Sequence, residues 1–432
     1  MSSATQRLAN MPRSRGSDLP SGITSVCSAH PLVIEAALSH AKGRNADVLI
    51  EATCNQVNQD GGYTGMTPAD FRAFVEKIAA AVGFPLDRLI LGGDHLGPNP
   101  WKHLPSSEAM RKAGAMIDAF AAAGFTKLHL DTSMACADDP TALPDETIAS
   151  RAAELAAISE ARIRQSKTQA PSYIIGTEVP VPGGAFEALD HLHVTTPGDA
   201  RATVELHRTA FSRLGLNEAF ERSIGIVVQP GVEFGNADVV AYVREAARDL
   251  VAALDEMPQF VFEAHSTDYQ SGEALRDLVS DGFAILKVGP WLTFALREAL
   301  YGLSAIAEIL VPDAISEALP AAMERIMLSS PEHWLKYYPG DAREQYVQRH
   351  YSFSDRIRYY WTVPAAQEAV DELMAALQGV TIPRPLISQH LGHLESLVAD
   401  GSVAPQARAL LLASVTRVLD IYADAIDSAS QN

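Results

Sequence analysis

Four ionisable residues lie far apart in the sequence but share one setting, because each follows or ends a short apolar run. Asp94 and His95 follow one run, Glu178 ends a second, and His265 ends a third. Two imidazoles with carboxylates suit Zn²⁺ or another first-row divalent ion such as Mn²⁺, Ni²⁺ or Co²⁺. Such an ion polarises a carbonyl and stabilises an enediolate. These residue types therefore predict a divalent-metal site, although a histidine at a strand end is also a common hydrogen-bonded filler.

Further ionisable residues alternate with apolar ones inside these runs. Lys127, His129 and Asp131 share one face of a strand, Glu263 shares a face with His265, and Lys287 lies between two apolar neighbours. Because burying an isolated charge is very costly, such groups must pair with one another or bind a metal. A salt-bridged plug is one interpretation. The clustering of these groups at the carboxyl ends of the runs favours a functional interior, with Lys287 contacting a substrate.

Two polar loops between the runs could bind a substrate. Asn55 and Asn58 begin a stretch with three glycines, and their side-chain amides could form hydrogen bonds with the hydroxyl groups of a sugar substrate. Gly183 and Gly184 follow two prolines, and adjacent backbone amides can hold an anion. A plain turn is the alternative interpretation of each loop.

A repeated unit must position these residues. A short β-branched run is followed by a longer stretch rich in Ala, Leu, Glu and Arg, and eight such runs predict a parallel sheet. Eight strands also close an α/β (β/α)₈ TIM barrel. An open doubly wound sheet is the alternative, but no Gly-x-Gly occurs in the chain. The eight runs are Ile23–Cys27, Asp47–Cys54, Arg88–Gly93, Lys127–Asp131, Tyr173–Glu178, Ile224–Gln229, Phe260–His265 and Ala284–Gly289.

The domain organisation follows from where this pattern begins and ends. We predict a flexible N-terminal segment over residues 1–20, the barrel over 21–310, and a helical C-terminal extension packed on the barrel over 311–432. An aromatic and basic stretch within the extension contains Arg356 and Arg358, which could bind an anionic substrate or form surface ion pairs. The predicted helices include one with Thr67 as N-cap, one from Ser106, one opening at Asn236–Tyr242, and Glu317–Leu328, Pro364–Leu377 and Ala404–Ala425 in the extension.

Composition excludes several classes of function. The chain has 34 Lys and Arg against 53 Asp and Glu, a formal net charge of −19, so we expect it to repel nucleic acid and anionic membranes. Three cysteines are too few for a disulfide framework, and no apolar run is long enough to span a bilayer. No Gly-Lys-Ser/Thr P-loop is present. We therefore expect a cytoplasmic protein that does not bind nucleic acid or membranes.

Long segments of the chain resemble those of the GatZ/KbaZ family, the class II tagatose-1,6-bisphosphate aldolase accessory subunits. The resemblance covers nearly the whole chain after about Pro20, and segments of this length are highly specific. The segments are Glu51–Met66, Gly92–Trp101, Leu130–Met134, Gly176–Gly184, Gln229–Gly235, Glu263–Tyr269, Leu286–Pro290 and Tyr351–Trp361.

The resemblance implies a barrel related to the class II ketose-bisphosphate aldolases and roles for particular residues. Asp94 resembles their acid/base Asp, and His95 and His265 resemble their metal ligands. Asp131 resembles the Asp of their Asp-Gly/Ala-Ser sequence and becomes a further catalytic candidate. Because the later aldolase His precedes a phosphate-binding turn, Ser266 and Asp268 become substrate-binding candidates. Arg356, in another matching segment, completes that set.

The sixth strand departs from the aldolase pattern. The aldolases supply another His there, whereas this chain has Gln229 and Glu233. Either Glu178 or Glu233 completes a metal site, or the aldolase site is incomplete. An incomplete site agrees with the family's description as a non-catalytic partner. We therefore expect an accessory subunit that supports a catalytic aldolase chain in galactitol or amino-sugar catabolism.

The alternative is a stand-alone, metal-dependent 4-epimerase of ketohexoses or ketohexose phosphates. Cleavage of the C3–C4 bond, rotation of the aldehyde and re-addition would invert C4, with Asp94 or Glu178 moving the hydroxyl proton. A tagatose-6-phosphate kinase ranks last, because the sequence shows no nucleotide site. Possible partners are thus a ketohexose or its phosphate, a catalytic aldolase chain, and further copies of the chain.

Overall fold

The computed structural model describes residues 3–14, 22–177, 179 and 192–429. Eight of the described strands form a closed parallel barrel in the order β1-β10-β9-β6-β5-β4-β3-β2, which confirms the predicted α/β (β/α)₈ fold. β7 and β8 form a separate antiparallel hairpin. The strands are β1 Ile23–Cys27, β2 Val48–Thr53, β3 Leu89–Leu96, β4 Lys127–Leu130, β5 Ser172–Ile175, β6 Ser223–Val228, β7 Glu233–Phe234, β8 Val239–Val240, β9 Val261–Ala264 and β10 Phe283–Val288.

Helices surround the barrel and continue beyond it. The predicted start of α3 is confirmed, because Thr67 and Asp70 form a capping box around Pro68. The helices are α1 Ser3–Asn10, α2 Pro31–Gly43, α3 Pro68–Val82, α4 Ser106–Ala122, α5 Asp145–Ser166, α6 Pro197–Arg213, α7 Asn217–Glu221, α8 Arg244–Ala253, α9 Gly272–Ser280, α10 Pro290–Leu310, α11 Leu319–Ser329, α12 Ala342–Tyr351, α13 Pro364–Ala376, α14 Arg384–His390, α15 Glu395–Ala399 and α16 Ala407–Ala429.

Strand β3 runs three residues further than the sequence predicts and carries Asp94 and His95 within it. Its register with β4 shifts between Gly93 and Leu96. Immediately beyond, a Cβ at Gly97 would lie 1.6 Å from the carbonyl oxygen of Asp131. Only glycine permits this approach. The end of β3 is therefore held against the end of β4, where three predicted site residues meet.

The N-terminal residues close the end of the barrel that lies opposite the strands' carboxyl ends. Ala4 and Leu8 of α1 are 0% and 1% exposed, and with Met11 they form one apolar cluster with residues near the starts of the barrel strands, such as Leu49 and Ile90. Residues 1–20 were predicted to be flexible, but their described part, 3–14, is helical. The reason is that an eight-stranded barrel exposes an apolar interior at this end, and α1 supplies the side chains that cover it.

The segment Asn236–Tyr242, predicted to open a helix, instead contains β8. Val239 and Val240 pair with the two residues of β7. The side-chain amide of Gln270 accepts from Tyr242 N at 3.0 Å and donates to Val240 O at 2.8 Å. These bonds replace the helical ones, and α8 begins only at Arg244.

The C-terminal extension packs along one side of the barrel, where α16 lies against α2, α9 and α10. Three of its helices match the predicted ones, and α12, α14 and α15 were not predicted. The domain boundary at residue 310 stays a prediction, as does the cytoplasmic location. None of the described helices combines the length and the apolar character that crossing a bilayer demands.

We predict that Leu8→Ala destabilises the protein by about 2–4 kcal/mol, because it opens a cavity where α1 meets the barrel. Urea unfolding measures the change. Gln6→Ala is the matched control on the exposed face of the same helix, and it should shift stability by less than about 0.5 kcal/mol. Equal effects of the two substitutions would show that α1 does not cover the barrel.

Candidate active site

A pocket opens at the carboxyl ends of the barrel strands. Asp94 and His95 of β3, Lys287 of β10 and His265 after β9 lie in its wall, as does Asn55 after β2. The carboxyl ends of parallel strands are where active sites of this fold lie. The pocket thus collects residues that are up to 232 positions apart, and all five are site residues predicted from the sequence.

Below the pocket, two ammonium groups are shared among three buried carboxylates. Lys127 Nζ lies 2.6 Å from Glu51 Oε1 and 2.8 Å from Glu263 Oε2. Lys287 Nζ lies 2.8 Å from Asp94 Oδ1 and also pairs with Glu51. All five side chains are at most 6% exposed. The part of the barrel interior nearest the pocket is therefore an ion-pair network rather than the usual layer of Val, Ile and Leu, which the barrel keeps at its opposite end.

Glycine makes room for this network. A Cβ at Gly92 of β3 would lie 2.7 Å from Glu51 Oε1 and 2.8 Å from Glu51 Cγ. The side chain of Glu51 thus occupies the space that a larger residue would fill in the neighbouring strand.

Three histidines face one another above the network. The ring centroids of His95, His129 and His265 are 4.8–5.2 Å apart. His95 Nδ1 lies 2.7 Å from Asp131 Oδ2, and His129 Nδ1 lies 3.0 Å from Asp94 Oδ1. Paired carboxylates of this kind orient imidazoles and fix their protonation.

The electrostatics of the cluster hold the carboxylates of Asp94 and Asp131 ionised. Burial alone would raise the pKa of Asp94, but the charges of His95 and Lys287 outweigh burial and lower it well below its usual range. Burial opposes the shift at Asp131 as well, yet the hydrogen bond with His95 lowers its pKa to about 2. Burial lowers the pKa of His265 to about 3, so this imidazole is neutral at pH 7, the form that binds metals.

Four of these side chains meet the geometric requirement for a metal site. Asp94, His129, Glu263 and His265 each offer one ligand atom, and these atoms all lie within 4.8 Å of one another. His129 Nε2 is buried and has no hydrogen-bond partner among the residues that the structure describes. An orphaned buried nitrogen of this kind calls for an explanation, and a bound cation is one.

The charge of the cluster points the same way. Glu51, Glu263, Asp94 and Asp131 carry four negative charges, and Lys127 with Lys287 neutralises two of them. These six groups together keep a formal charge of −2. Burial opposes the shift, but Asp94 and Asp131 raise the pKa of His95, so a positive charge on His95 offsets part of this excess. The cluster stays net negative, so the residues present fit the predicted divalent cation.

The structure distributes the other predicted substrate-binding residues over three environments. Asn55, Ser266 and Asp268 line the pocket. Asn58 instead makes hydrogen bonds within the loop that follows β2. Its side chain donates to Cys54 O at 2.9 Å and accepts from the backbone amides of Asp60 and Gly62. Glu178, Gly183 and Gly184 lie outside the described residues.

Glu233 and Arg356 are not among the residues that line the pocket. Glu233 lies on β7, where Oε1 accepts from Phe234 N at 3.0 Å, and it does not belong to the groups of close ligand atoms found in the described part of the chain. Arg356 is 4% exposed and its guanidinium lies 3.3 Å from the ring centroid of Tyr337. Its neighbour Arg358 is the arginine that faces the pocket.

Sequence reasoning placed His129 on the interior face of β4, where it alternates with two leucines, but gave it no role in the site. It did not assign Tyr63 or Tyr359 to the site. Tyr63 and Tyr359 meet edge to face at 4.9 Å in the pocket wall, and each lies within a segment that matches the family.

The backbone is strained where it forms the site. His95, Ser266, Tyr269 and Asp355 have φ angles of 49°, 54°, 64° and 45°. Non-glycine residues in this left-handed region cost of order 1 kcal/mol or more each, and they cluster at functional sites. His95 and Ser266 line the pocket, and this supports a functional assignment.

Such a barrel, with buried carboxylates, imidazoles and ammonium groups below an open pocket, has the architecture of a (β/α)₈ enzyme. A family model described as D-tagatose-1,6-bisphosphate aldolase subunit GatZ/KbaZ-like matches residues 8–427. The chain belongs to this family, which confirms the resemblance seen in the sequence.

Two relatives are similar over almost their whole length. A protein of Agrobacterium fabrum (strain C58 / ATCC 33970), named D-tagatose 6-phosphate 4-epimerase, is 54% identical over 418 residues, which are 97% of this chain and 98% of the relative. A crystal structure from Sinorhizobium meliloti 1021, described as a probable tagatose 6 phosphate kinase, is 59% identical with a TM-score of 0.87. It covers 94% of this chain and 100% of that chain.

We predict that Lys127→Met destabilises the protein by about 3–5 kcal/mol, because it leaves Glu51 and Glu263 buried without their shared cation. Thermal and urea unfolding measure the loss. Lys112→Met removes a more exposed ion pair with Asp60 and should cost at most about 1 kcal/mol. Similar losses in the two variants would contradict the energetic importance of the buried network.

Asp268 gives a pH-dependent prediction. Its Oδ1 accepts from Gly289 N at 3.0 Å and Trp291 N at 2.8 Å at the start of α10, and burial raises its pKa to about 6. Between about pH 4 and pH 6 the unfolded chain ionises this group while the folded chain keeps it protonated. The group therefore favours folding at low pH, and that contribution is lost as the pH rises.

Asp268→Asn removes this dependence and keeps an oxygen that accepts the two amides. Relative to the parent protein, the variant should gain about 2–3 kcal/mol of stability between pH 4 and pH 7. Urea unfolding of both proteins at the two pH values measures the difference. A difference that stays constant with pH contradicts the raised pKa.

Proposed function

We propose that the protein is a divalent-metal-dependent 4-epimerase that interconverts ketohexose 6-phosphates such as tagatose 6-phosphate and fructose 6-phosphate. The cluster of Asp94, His129, Glu263 and His265 at the pocket carries the proposal, because it supplies a metal-ligand set and an ionised base together. The name of the relative that is 54% identical supports the substrate class.

The epimerase hypothesis has more support than the accessory-subunit hypothesis. A purely structural subunit has no reason to keep an orphaned imidazole and a net negative charge beneath an open pocket, because both destabilise the fold. A catalytic aldolase chain or further copies of this chain stay predictions as partners. The kinase named for the related crystal structure gains no support from this sequence, which lacks a Gly-Lys-Ser/Thr P-loop.

His129, His265 and Glu263 would hold the ion, with Asp94 beside it. When bound, a divalent ion supplies the positive charge that favours an enediolate from the ketose carbonyl. His129 comes from β4, and Glu263 and His265 come from β9 or its end. These two strands are separated by β5 and β6, so the closure of the barrel fixes the distance between the side chains.

Asp94 is the base that we assign to the first proton transfer. Its Oδ1 is held by Lys287 and faces His129, whereas Oδ2 lies 3.8 Å from both His95 Nε2 and Cys27 Sγ. Oδ2 is therefore the oxygen with room to accept the proton of the substrate's O4 hydroxyl. Because its pKa lies well below the usual range, Asp94 is ionised at pH 7.

Other pocket residues orient the substrate. Asn55 and Ser266 offer an amide and a hydroxyl for the sugar hydroxyl groups. Arg358 lies where the pocket joins a second cavity lined by Thr64 and Thr362, so a phosphate at one end of the sugar would meet a guanidinium there.

We predict that the purified protein converts tagatose 6-phosphate to fructose 6-phosphate and the reverse, and that free ketohexoses react more slowly. Carbon NMR of each sugar and sugar phosphate measures the conversion. Chelation should abolish the activity, and Zn²⁺, Mn²⁺, Ni²⁺ or Co²⁺ should restore it. No turnover with any of these sugars in the presence of metal would refute the function.

Metal binding can be tested without measuring enzyme activity. His265→Ala should lower the metal content of the purified protein at least about tenfold at limiting metal, because it removes one ligand of the cluster. His103→Ala removes an exposed imidazole and is the matched control. Unchanged metal content in both variants would show that the ion binds elsewhere.

A further inference from the structure

Tyr359 brings a phenol from the C-terminal extension into the wall of the pocket that Asp94 also lines. It belongs to a short 3₁₀ helix that follows Asp355, whose φ of 45° turns the chain toward the barrel. The Tyr359 ring meets Tyr63 edge to face at 4.9 Å and stacks on His333 at 5.0 Å. Contacts on two sides hold the phenol in one orientation.

Two guanidinium groups surround this phenol. Arg358 Nη2 donates to the Tyr359 hydroxyl at 3.0 Å, and its Cζ lies 4.5 Å from the ring centroid. The Cζ of Arg356 lies 5.0 Å from the same centroid. Burial would raise the pKa of Tyr359, but the two positive charges outweigh it and lower the pKa from its ordinary value. The phenol can therefore give up its proton more readily than a free tyrosine.

The reaction under "Proposed function", on which this inference rests, needs proton transfer at two positions. Asp94 takes the O4 proton, the C3–C4 bond breaks, its electron pair forms the enediolate, and C4 becomes an aldehyde. To expose its other face, the aldehyde exchanges the places of its oxygen and hydrogen. Because the C=O bond is about 1.2 Å long, the oxygen moves by roughly 2 Å. In its two positions the oxygen presents its lone pairs in different directions. Asp94 has only Oδ2 to offer, because Oδ1 is engaged by Lys287 and His129, so a second group on the other side of the pocket is better placed to serve the second position.

We propose that Tyr359 is the second catalytic acid/base, which protonates O4 after the enediolate has re-formed the C3–C4 bond on the opposite face. The new bond uses the electron pair of the enediolate, and the resulting O4 alkoxide takes the phenol proton. The turnover leaves Asp94 protonated and Tyr359 as a phenolate beside Arg358. Transfer of one proton from Asp94 to Tyr359 through solvent restores both groups, and no oxidant or reductant is needed.

Four other groups of the pocket wall that could carry a proton are less suited to this step. Burial raises the pKa of Tyr63 to about 12 and raises that of the Cys27 thiol. Lys287 is fixed by its buried carboxylates, and Asp268 already accepts two backbone amides. Tyr359 is the phenol of this wall whose surroundings favour the ionised form.

The test measures each C4 epimer separately. Cleavage yields dihydroxyacetone and glyceraldehyde 3-phosphate, so ¹³C-labelled dihydroxyacetone exchanges into any epimer that the protein can cleave. With Tyr359→Phe we expect epimerisation to fall about 10²–10⁴-fold, with KM little changed. Label exchange should persist in one C4 epimer and be lost from the other. Tyr337→Phe removes a phenol hydroxyl outside the pocket and should behave as the parent protein.

A structural role for Tyr359 predicts a different result, because a distorted pocket would slow exchange into both epimers equally. That outcome, or unchanged epimerisation in Tyr359→Phe, overturns the proposal. If the parent protein does not interconvert the epimers at all, the proposed function itself fails. Active parent protein with an unaffected variant removes only the role of Tyr359.

A second variant covers the case in which Tyr359→Phe does not fold. Replacing Tyr359 with 3-fluorotyrosine keeps the ring contacts and lowers the phenol pKa. One limb of the pH profile of kcat should then move to lower pH. A profile that does not move contradicts the proposal.

Discussion

The structure depends on the pairing of charges inside a closed barrel. Lys127 and Lys287 each contact more than one carboxylate, so removing either ammonium leaves several buried negative charges without compensation. A hydrophobic interior of equal volume would serve stability as well or better. The network instead keeps Asp94 ionised, and three imidazoles lie at a constant spacing above it. The packing of the barrel is in this way linked to the chemistry of the pocket.

The C-terminal extension contributes to the site as well as to packing. Arg358 and Tyr359 reach the pocket, and Tyr269 after β9 donates to Phe353 O at 2.7 Å, which ties that segment to the barrel. The barrel thus supplies the floor of the pocket, and the extension supplies part of its wall. Both parts must be in place before a substrate meets the full set of groups.

Much of the fold follows from local sequence patterns. All eight barrel strands were predicted to within a few residues, because β-branched runs bounded by turn residues are a local signal. The β7–β8 hairpin and α1 were not, because each depends on a distant partner. Gln270 stabilises the hairpin by hydrogen bonds, and Leu8 of α1 packs against apolar residues at the open end of the barrel.

The site shows the same division. Strand alternation predicted the direction of His265 and Lys287, because the side-chain period of a strand is fixed, and the end of the third run predicted the position of Asp94. The structure brings all three residues to the pocket. It could not tell which of Arg356 and Arg358 turns inward, because both lie on one irregular 3₁₀ segment whose orientation depends on tertiary contacts. Likewise, Asn58 bonds to its own loop through local contacts that residue type alone does not distinguish from substrate binding.

The start of α10 has a consequence for how the protein selects anions. Many barrels attract phosphate at this corner through free backbone amides and the positive end of a helix macrodipole. Here the carboxylate of Asp268 already caps the amides of Gly289 and Trp291. These amides are thus not available to a bound anion. Under the proposed function, discrimination between sugar phosphates and free sugars would therefore depend on individual cationic side chains, which evolution can exchange without disturbing the barrel.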